Sequence, residues 1–417
     1  MKTNKLIDWL KSQKKNNKIR IRKKKINLLR DWIFKDNIIF HKSKNFFSIK
    51  PFLFQQKNKK RFQPLILQKE HGILGIIKQK KGGKDYYLLQ SKIEPGNING
   101  IQISPTVQAT KSNYLRKHGG KKTLFLDYFL KQQKKLKIVS KIKLSEQGSR
   151  FLNKKNWNIL LETDKTNIPL KKNYCWLTKE NIRYLINKKN MLNMDTISVL
   201  SSAIKKNLNE NLINSNNNLK NRLNQFDKKI KSTRKIISFD NLNGWKIKKN
   251  CISDIKNKYF SIFFIDVIAN LREVNKWEQP ILSDHSSSLN GFLVSKINNT
   301  IHYLLKIINE PGFDQSKYTS TIFEKNFYLN SSKNIKFLSF FKKKNCLMDL
   351  VNSDEGGRFL NNQTRNLINE IKDYKKINLN KNFIWASHNQ VIDLIKQNKI
   401  TIEARNLFAC YNIDKIY

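Results

Sequence analysis

The stretch SEQGSRFLNKKNWNILLE at residues 145–162 is closely matched by SDEGGRFLNNQTRNLINE at residues 353–370. Arg150 and Arg358 occupy the same place in the two stretches, 208 residues apart. A segment that recurs so far along the chain indicates duplication of a whole structural unit. We therefore interpret the sequence as two copies of one module.

Four further blocks recur in the same order around this pair. They match residues 46–52 with 259–265, 61–75 with 276–291, 85–99 with 301–315, and 173–186 with 382–395. The offset is 216 residues between Glu94 and Glu310, and 209 residues between Trp176 and Trp385. A tryptophan that recurs at a matched position is more typical of a core than of a base-stacking platform. Five ordered matches make the duplication the firmest conclusion from the sequence.

Strand and helix signals alternate within each copy. Residues 65–67 and 86–89 have strand-like composition, and Lys-Gly-Gly-Lys at 81–84 is typical of the hairpin turn between them. Residues 182–185 have helical periodicity. The pattern predicts an α+β fold in which two modules of mixed sheet and flanking helices are related by a pseudo-twofold axis.

The flanking and connecting segments give the predicted domain boundaries. Apolar residues from Leu6 to Ile33 at helix-like spacing predict a helical N-terminal extension, and the Ser-Asn-Asn-Asn run at 215–218 is expected to interrupt any helix in the connector. The predicted units are an N-terminal extension at 1–45, a first module at 46–203, an Asn- and Lys-rich connector at 204–240, and a second module at 241–417.

The charge of the chain favours, at first sight, a nucleic-acid-binding protein. The 82 basic residues exceed the 31 acidic ones and give a formal charge of +51. Only 13 of the basic residues are arginine, however, and the other 69 are lysine. Recognition of phosphates and bases favours the forked guanidinium, whereas a joint excess of Lys, Asn and Ile is what A+T-rich codons produce. Lysine-rich runs are then solvated faces or loops.

Cysteine usage and hydropathy narrow the cellular context. Cys175, Cys251, Cys346 and Cys410 are scattered, without a Cys-x-x-Cys pair or a histidine at ligand spacing, so we expect neither disulfides nor a metal site. No apolar run approaches the roughly 20 residues of a membrane span, and the N-terminus has no secretory signal pattern. We expect a cytoplasmic protein that binds neither membrane nor nucleic acid.

Three motifs carry a resemblance to a known family. EPGNINGIQISPTVQATKSNYLRKHGG (94–120), SEQGSRFL (145–152) and NMDT (193–196) make the chain resemble the NDP-hexose 2,3-dehydratases over residues 46 to 410. The resemblance implies two tandem Nudix-like modules, a homodimer, no cofactor, and action on a nucleotide-linked 4-keto-6-deoxyglucose in 2,6-dideoxysugar biosynthesis. It also implies a downstream 3-ketoreductase. The Nudix hydrolase signature itself is absent, so pyrophosphate cleavage is not expected.

The sequence departs from the family pattern at three places. KKNWN stands at 154–158 where KRNRN is expected, and Ile197 stands where an arginine usually follows NMDT. In the second copy the SPTVQ block has become STIFE at 320–324, whereas Arg405 persists 208 residues after Ile197. These losses motivate an alternative, an inactive scaffold of the same family. A basic RNA-associated protein is the other alternative.

The reaction implied by the resemblance is a β-elimination, which needs a base, an acid and donors to the C4 oxygen. His118, in the densest motif beside Tyr114, is the candidate base or acid, although a surface-loop histidine is an equally good interpretation. His71 is its rival. Glu146 is a candidate acid because an acid–arginine pair recurs in both copies, but such a pair is as often structural.

Polar residues that alternate along residues 102–110 provide the best evidence for a site that the residues themselves offer. On one extended strand, Gln102, Ser104, Thr106, Gln108 and Thr110 would share a face, and such a face is rare in a core. An exposed strand face is the alternative. The candidate substrate-binding residues are Glu94, Gln102, Thr106, Gln108, Thr110, Asn113, Arg150, Glu310, Glu355, Arg358 and Arg405.

The two copies have decayed unequally. The first retains the polar block from Gln102 to His118, and the second has lost most of it. Glu94 and Glu310 precede Pro-Gly, where turn formation alone could explain them. We expect residues 94–120 to hold the principal active site and the second module to shape, support or dimerise the protein.

Overall fold

A computed structural model describes residues 2–117, 119–130, 136–163, 168–330 and 335–417. The architecture is α+β, with four sheets and flanking helices. The helices in these ranges are α1 Thr3–Asn16, α2 Lys111–Tyr114, α3 Asp127–Leu130, α4 Lys179–Ile186, α5 Met194–Ser201, α6 Asn216–Ile230, α7 Phe327–Asn330, α8 His388–Lys396 and α9 Ile402–Tyr411. None of these helices is long and apolar enough to cross a membrane.

Strands fill most of the rest of each half. Those of the first half are β1 Ile19–Lys24, β2 Trp32–Lys35, β3 Ile38–His41, β4 Ser48–Gln56, β5 Lys59–Leu67, β6 Ile73–Lys81, β7 Lys84–Ile93, β8 Ile101–Ser104, β9 Val107–Ala109, β10 Leu136–Ser145, β11 Phe151–Leu152, β12 Lys155–Thr163 and β13 Tyr174–Thr178. Those of the second half are β14 Ser232–Ile236, β15 Trp245–Ile247, β16 Cys251–Asp254, β17 Phe260–Ala269, β18 Lys276–Asp284, β19 Ser288–Ile297, β20 Thr300–Ile308, β21 Lys317–Thr319, β22 Ile322–Glu324, β23 Cys346–Ser353, β24 Gln363–Glu370 and β25 Phe383–Ser387.

The two large sheets have the same strand order, which confirms the duplication. The first has the path β10-β12-β6-β7-β13, and the second has the path β23-β24-β19-β20-β25. In each sheet one central pair, β6 with β12 or β19 with β24, is parallel. Even an irregularity recurs, because the register slips at Ile138/Ser140 in one sheet and at Cys346/Met348 in the other. The predicted hairpin turn between β6 and β7 is also confirmed.

Each of the two smaller sheets includes one strand from the other half of the chain. β1 lies in the first half of the chain but pairs with β17 of the second half. β14 lies in the second half but pairs with β4 of the first. Each repeat therefore begins with a helix, α1 or α6, followed by a strand that completes a sheet of the other repeat. The two modules are interlocked by backbone hydrogen bonds.

The N-terminal and connecting segments differ from the sequence prediction. Within the described residues 2–45, only α1 and the short 3₁₀ turn Ile26–Leu28 are helical, and strands β1 to β3 occupy about half of the rest. The Ser-Asn-Asn-Asn run begins a helix where an interruption was predicted, because the Ser215 side chain accepts a hydrogen bond from the backbone N–H of Asn218. The buried Leu219 and Leu223 then hold α6 against the core.

The Glu-Pro-Gly loops form the junction between the modules. The backbone N–H of Gly96 donates to Gly356 O at 2.7 Å, and that of Gly312 donates to Gly148 O at 2.7 Å. A Cβ at Gly96 would lie 1.6 Å from Phe359 O, and one at Gly312 would lie 1.8 Å from Phe151 O. Each loop therefore docks on the Gly-x-Arg-Phe turn of the other module, and only glycine fits this close approach.

Candidate functional site

A polar cavity of about 110 Å³ opens at the junction, on the first-module side. The first module supplies the end of β7, strand β9, the start of α2, the turn after β10 and the start of α5. The second module supplies its Gly-x-Arg-Phe turn and Arg272. The charged lining residues, hereafter the first cluster, are Lys92, Glu94, Glu146, Lys154, Asp195, Arg272, Glu355 and Arg358.

A hydrogen-bonded chain crosses one wall of the cavity. Lys92 Nζ lies 3.1 Å from Glu94 Oε1 and donates to Gln108 Oε1 at 2.8 Å. Gln108 Nε2 in turn donates to Asp195 Oδ2 at 2.7 Å. The side chain of Asn193 caps α5 by accepting from the backbone N–H of Asp195 at 2.9 Å. The cap fixes the first turn of α5 and with it the carboxyl group of Asp195.

Glu146 lies on the opposite wall. Asn156 Nδ2 donates to Glu146 Oε1 at 2.7 Å. Lys154 is buried, and its ammonium group donates to the backbone carbonyl of Glu70. Burial lowers the pKa of Lys154 to about 8. A cation and an amide therefore flank the Glu146 carboxyl.

The four carboxyl groups of the cavity are crowded, and those of Glu94, Glu146 and Asp195 belong to buried residues. Burial and the neighbouring carboxylate of Glu146 raise the pKa of Asp195 well above its usual value. Burial and the carboxylate of Glu94 raise the pKa of Glu355 to about 7. Burial also raises the pKa of Glu146, but the charge of Arg405 and the hydrogen bond from Asn156 oppose that rise. Burial therefore favours the protonated forms of these three carboxyl groups, whereas neighbouring cations and hydrogen-bond donors oppose it.

The second module contributes the side chains of Glu355 and Arg358 to the lining of the cavity. Glu355 Oε1 accepts from the backbone N–H of Gly357 at 2.8 Å. The Arg358 guanidinium stacks on the Phe47 ring at 4.2 Å, and its buried Nε has no hydrogen-bond partner in the described ranges. A ligand with acceptor oxygens could satisfy that N–H group.

A larger groove of about 390 Å³ adjoins the cavity. The two spaces share Thr110, Asn113, Arg272 and Arg358 as lining residues. The groove is rich in aromatic rings, namely Trp32, His41, Phe46, Phe47 and Trp277. An aromatic groove that meets an acidic cavity at two arginines suits a ligand with a flat apolar part, an anionic middle and a polar end.

The equivalent position in the second module holds ion pairs beside a smaller cavity of about 30 Å³, which Asp354 and Glu403 line. We call Arg61, Arg150, Asp284, Glu310, Lys325, Asp354 and Glu403 the second cluster. Arg150 Nη2 lies 2.5 Å from Asp284 Oδ1, and Lys325 Nζ lies 3.7 Å from Asp284 and 3.3 Å from Asp354. Although burial alone would raise it, Arg150 and Lys325 hold the pKa of Asp284 below its usual value.

The structure brings seven of the candidate residues together at the cavity. These are Glu94, Gln108, Thr110, Asn113, Glu146, Glu355 and Arg358. Gln102 and Thr106 are fully buried elsewhere in the first module. Gln102 bonds to Asn193 and Ser353, and Thr106 bridges the backbone of Leu88 and Ile77.

The predicted continuous polar strand is wrong. β8 pairs with β7, β9 pairs with β6, and strand structure is interrupted between them at Pro105. Pro105 and Thr106 lie between the two strands, and because β8 and β9 pair with different neighbours, no single strand runs through this position. The period-2 argument therefore does not apply across the break.

The other candidates lie apart from the cavity. Arg150 and Glu310 belong to the second cluster, where Arg61 opposes the rise that burial imposes on the pKa of Glu310. Arg405 is buried between the clusters. Tyr114 is half-buried in α2, outside the lining, and burial raises its pKa. His118 lies outside the described residues. The rival His71 bonds through Nδ1 to Lys155 O at 3.0 Å.

Sequence reasoning missed several lining residues. Asp195 stands in the quoted NMDT motif but was not singled out, because an acid in the first turn of a helix is a common dipole partner. Lys92 and Lys154 are inconspicuous among 69 lysines. Arg272 belongs to the other module, so no local pattern connects it to the site. Within the described ranges, no group of three His, Cys, Asp or Glu residues is arranged to hold a metal ion.

Comparison with known proteins gives a family for this arrangement. The model of the NDP-hexose 2,3-dehydratase family matches residues 3–203 and 216–411, two segments that begin with α1 and α6. The chain is 32% identical over 362 residues to a dTDP-4-dehydro-6-deoxy-alpha-D-glucopyranose 2,3-dehydratase of Amycolatopsis orientalis, covering 84% of this chain and 75% of that protein. It is 30% identical over 389 residues to a protein of the same name from Streptomyces violaceoruber, covering 89% and 87%.

Proposed function

The chain belongs to the NDP-hexose 2,3-dehydratase family, and we propose that it removes water from dTDP-4-keto-6-deoxyglucose. The observation that carries the proposal is the first cluster. It places four carboxyl groups with different neighbours in a cavity that opens into an aromatic groove. Paired carboxyl groups whose environments separate their pKa values can divide the work of base and acid.

The substrate fits the two spaces in one orientation. The nucleobase lies among the aromatic rings of the groove, where Trp277 and Phe46 offer apolar faces. The diphosphate lies at the neck between Arg272 and Arg358, whose guanidinium groups suit its oxygens. The 4-keto sugar then enters the acidic cavity, between Glu146 and Asp195.

Glu146 is the base in this proposal. Its carboxylate removes the C3 proton, which the C4 ketone has made acidic, and the electron pair moves onto the C4 oxygen. Lys154, with a pKa of about 8, supplies positive charge on the same wall of the cavity and stabilises the enolate.

Asp195 is the acid. Burial and the carboxylate of Glu146 raise its pKa, which favours the protonated form, and in this proposal that form protonates the C2 hydroxyl as the C2–O bond breaks. The enolate electrons restore the C4 carbonyl and form the C2–C3 double bond, and water leaves. The resulting enol takes up a proton at C2 and becomes the 3,4-diketo, 2-deoxy sugar.

The remaining expectations rest on the family resemblance. We propose that each module is Nudix-like and that the chain forms a homodimer in the cytoplasm. A vicinal diketone is reactive, which supports the proposal that a 3-ketoreductase consumes the product. Size-exclusion chromatography with light scattering tests the dimer directly.

Exchange of the C3 proton with heavy water tests the proposed function. The protein is incubated with dTDP-4-keto-6-deoxyglucose and a trapping reductase, and deuterium at C3 and 2-deoxy product are measured. We expect Glu146→Gln to lose both exchange and elimination. Asp195→Asn should retain exchange while losing elimination, because it lacks only the acid. Neither exchange nor product with the unaltered protein would contradict the proposal.

A further inference from the structure

Arg405 crosses from the second module toward the first cluster. It is fully buried in α9, and its Nη2 donates to Ser198 Oγ of α5 at 3.0 Å. The equivalent position in the first module is Ile197, 208 residues earlier, which packs in the hydrophobic core. In this helix pair a guanidinium stands on one side of the pseudo-twofold axis and an alkyl group on the other.

Hydrogen bonds connect Arg405 to Glu146. Ser198 Oγ donates to Asn158 Oδ1 at 2.8 Å, and Asn158 Nδ2 donates to the backbone carbonyl of Asn156 at 3.1 Å. The Asn156 side chain donates to Glu146 Oε1 at 2.7 Å. Serine and asparagine groups that are bonded at both ends leave each other little freedom of orientation.

Arg405 is a buried cation that has few direct partners. Its Nε and Nη1 have no hydrogen-bond partner in the described ranges, and neither has either carboxylate oxygen of Glu403. Burying an uncompensated charge is costly, so nearby carboxylates must provide the compensation. Burial and the charge of Glu310 raise the pKa of Glu403 to about 7, so Glu403 supplies only part of a negative charge.

The groups that face Glu146 have both signs. Arg405 and Lys154 favour its ionised form, whereas Asp195 and Glu355 favour protonation. The described part of α5 offers Glu146 no cation, because Ile197 stands where α9 has Arg405. The second module therefore supplies, through α9, a cation that α5 of the first module lacks.

We infer that Arg405 is a positioning residue that acts through Ser198 and Asn156 to keep Glu146 ionised and oriented in the cavity. This role deepens the proposed function and rests on it for its catalytic meaning. The protonation state of Glu146 is a property of the free protein, however, so it can be measured without substrate.

The test is an infrared titration of Glu146 in the full-length protein labelled with ¹³C-glutamate. Its carboxylate band is identified by its loss in Glu146→Gln. We expect Arg405→Met to raise the Glu146 pKa by about one unit or more, because a nearby opposite charge is lost. Arg405→Lys should shift it less. Arg365→Met is the matched control, since Arg365 pairs with Asp349 on an exposed surface, and it should leave the band unchanged.

Ser198→Ala provides a second test should Arg405→Met fail to fold. It keeps the guanidinium but breaks the hydrogen-bond link, and we expect a smaller upward shift in the Glu146 pKa. An unchanged Glu146 titration in Arg405→Met, or in both Arg405→Lys and Ser198→Ala, would overturn the inference. The pH profile of C3 exchange should move upward in parallel. Loss of exchange in the unaltered protein, with the titration shift intact, would contradict only the proposed function.

Discussion

The two clusters occupy equivalent places in a duplicated fold, yet the cavity at the first is about 110 Å³ and the cavity at the second only about 30 Å³. Gln68 and Ala109 line or border the first cavity, and the matched residues of the second module are Asp284 and Lys325. These two changes add an acid and a cation that pair with each other and with Arg150 and Asp354. Duplication preserved the backbone junction, and a few side chains decided which copy could admit a ligand.

The largest expected contrast is between the two matched arginines. Arg150→Met leaves Asp284 buried beside a single remaining cation, and we expect it to lower the free energy of unfolding by about 3–5 kcal/mol. Arg358→Met should cost less stability, but it should raise the KM for the nucleotide sugar about 10- to 100-fold, because a charged hydrogen-bond donor to the substrate is lost. Urea unfolding and steady-state kinetics measure the two effects. Equal loss of stability in both variants would remove the contrast.

Substitutions in the two Glu-Pro-Gly loops of the junction should lower the free energy of unfolding to a similar extent. Gly96→Ala and Gly312→Ala each place a Cβ against a backbone carbonyl of the other module. We expect each to lower the free energy of unfolding by about 1–3 kcal/mol or more. Thermal unfolding followed by circular dichroism measures both. Destabilisation by only one of them would mean that the two loops do not support the fold equally.

A substitution in the aromatic groove should weaken substrate binding without slowing the chemical step. Trp277→Leu removes an aromatic face from the groove, and we expect KM to rise about tenfold with kcat unchanged, since stacking on a base is worth roughly 1–3 kcal/mol. Trp157→Leu is the control, because its ring lies beside Lys141 and Lys143 on the sheet and outside the groove lining. A fall in kcat with KM unchanged would place the nucleotide elsewhere.

The smallest contrast is in pH dependence. The pKa of Glu355 is raised to about 7, so its burial costs stability increasingly as pH rises from the unfolded pKa through 7. The pKa of Asp284 is lowered, so its contribution is present above the unfolded pKa and is lost as pH falls. Glu355→Gln should therefore raise the melting temperature at pH 8 and change it little at pH 4. Asp284→Asn should lower the melting temperature at pH 8. If both variants changed the melting temperature at pH 8 in the same direction, the opposite pKa shifts assigned to Glu355 and Asp284 would be contradicted.

Much of the fold could be predicted from the sequence, because duplication leaves matched blocks in the same order along the chain. The matched blocks predicted two α+β modules, and the Glu-Pro-Gly segments indicated equivalent loops. The exchange of β1 and β14 could not be predicted, because their pairing joins residues 176 to 250 positions apart and strand composition does not identify a partner. The capping role of Ser215 could not be predicted, because the three asparagines that follow it are typical of a turn.

The candidate site was predicted in part for a similar reason. Glu94, Gln108 and Glu146 lie in long motifs, and the structure places all three at the cavity. Gln102 and Thr106 share those motifs but support Asn193 and the sheet instead. Gln102 lies on β8, Gln108 lies on β9, and Thr106 lies in the connection between the two strands. Arg272, Glu355 and Arg358 reach the cavity only through the junction, so their meeting with Glu146 depends on tertiary structure.

The central claim is that the chemistry takes place at the first cluster and not at the second cluster. C3 proton exchange in matched variants of Glu146 and Asp354, which occupy equivalent positions, tests this most directly. We expect Glu146→Gln to slow exchange at least about 100-fold and Asp354→Asn to change it less than about threefold, because only Glu146 acts as a base. Equal loss in the two variants, or a greater loss in Asp354→Asn, would contradict the account.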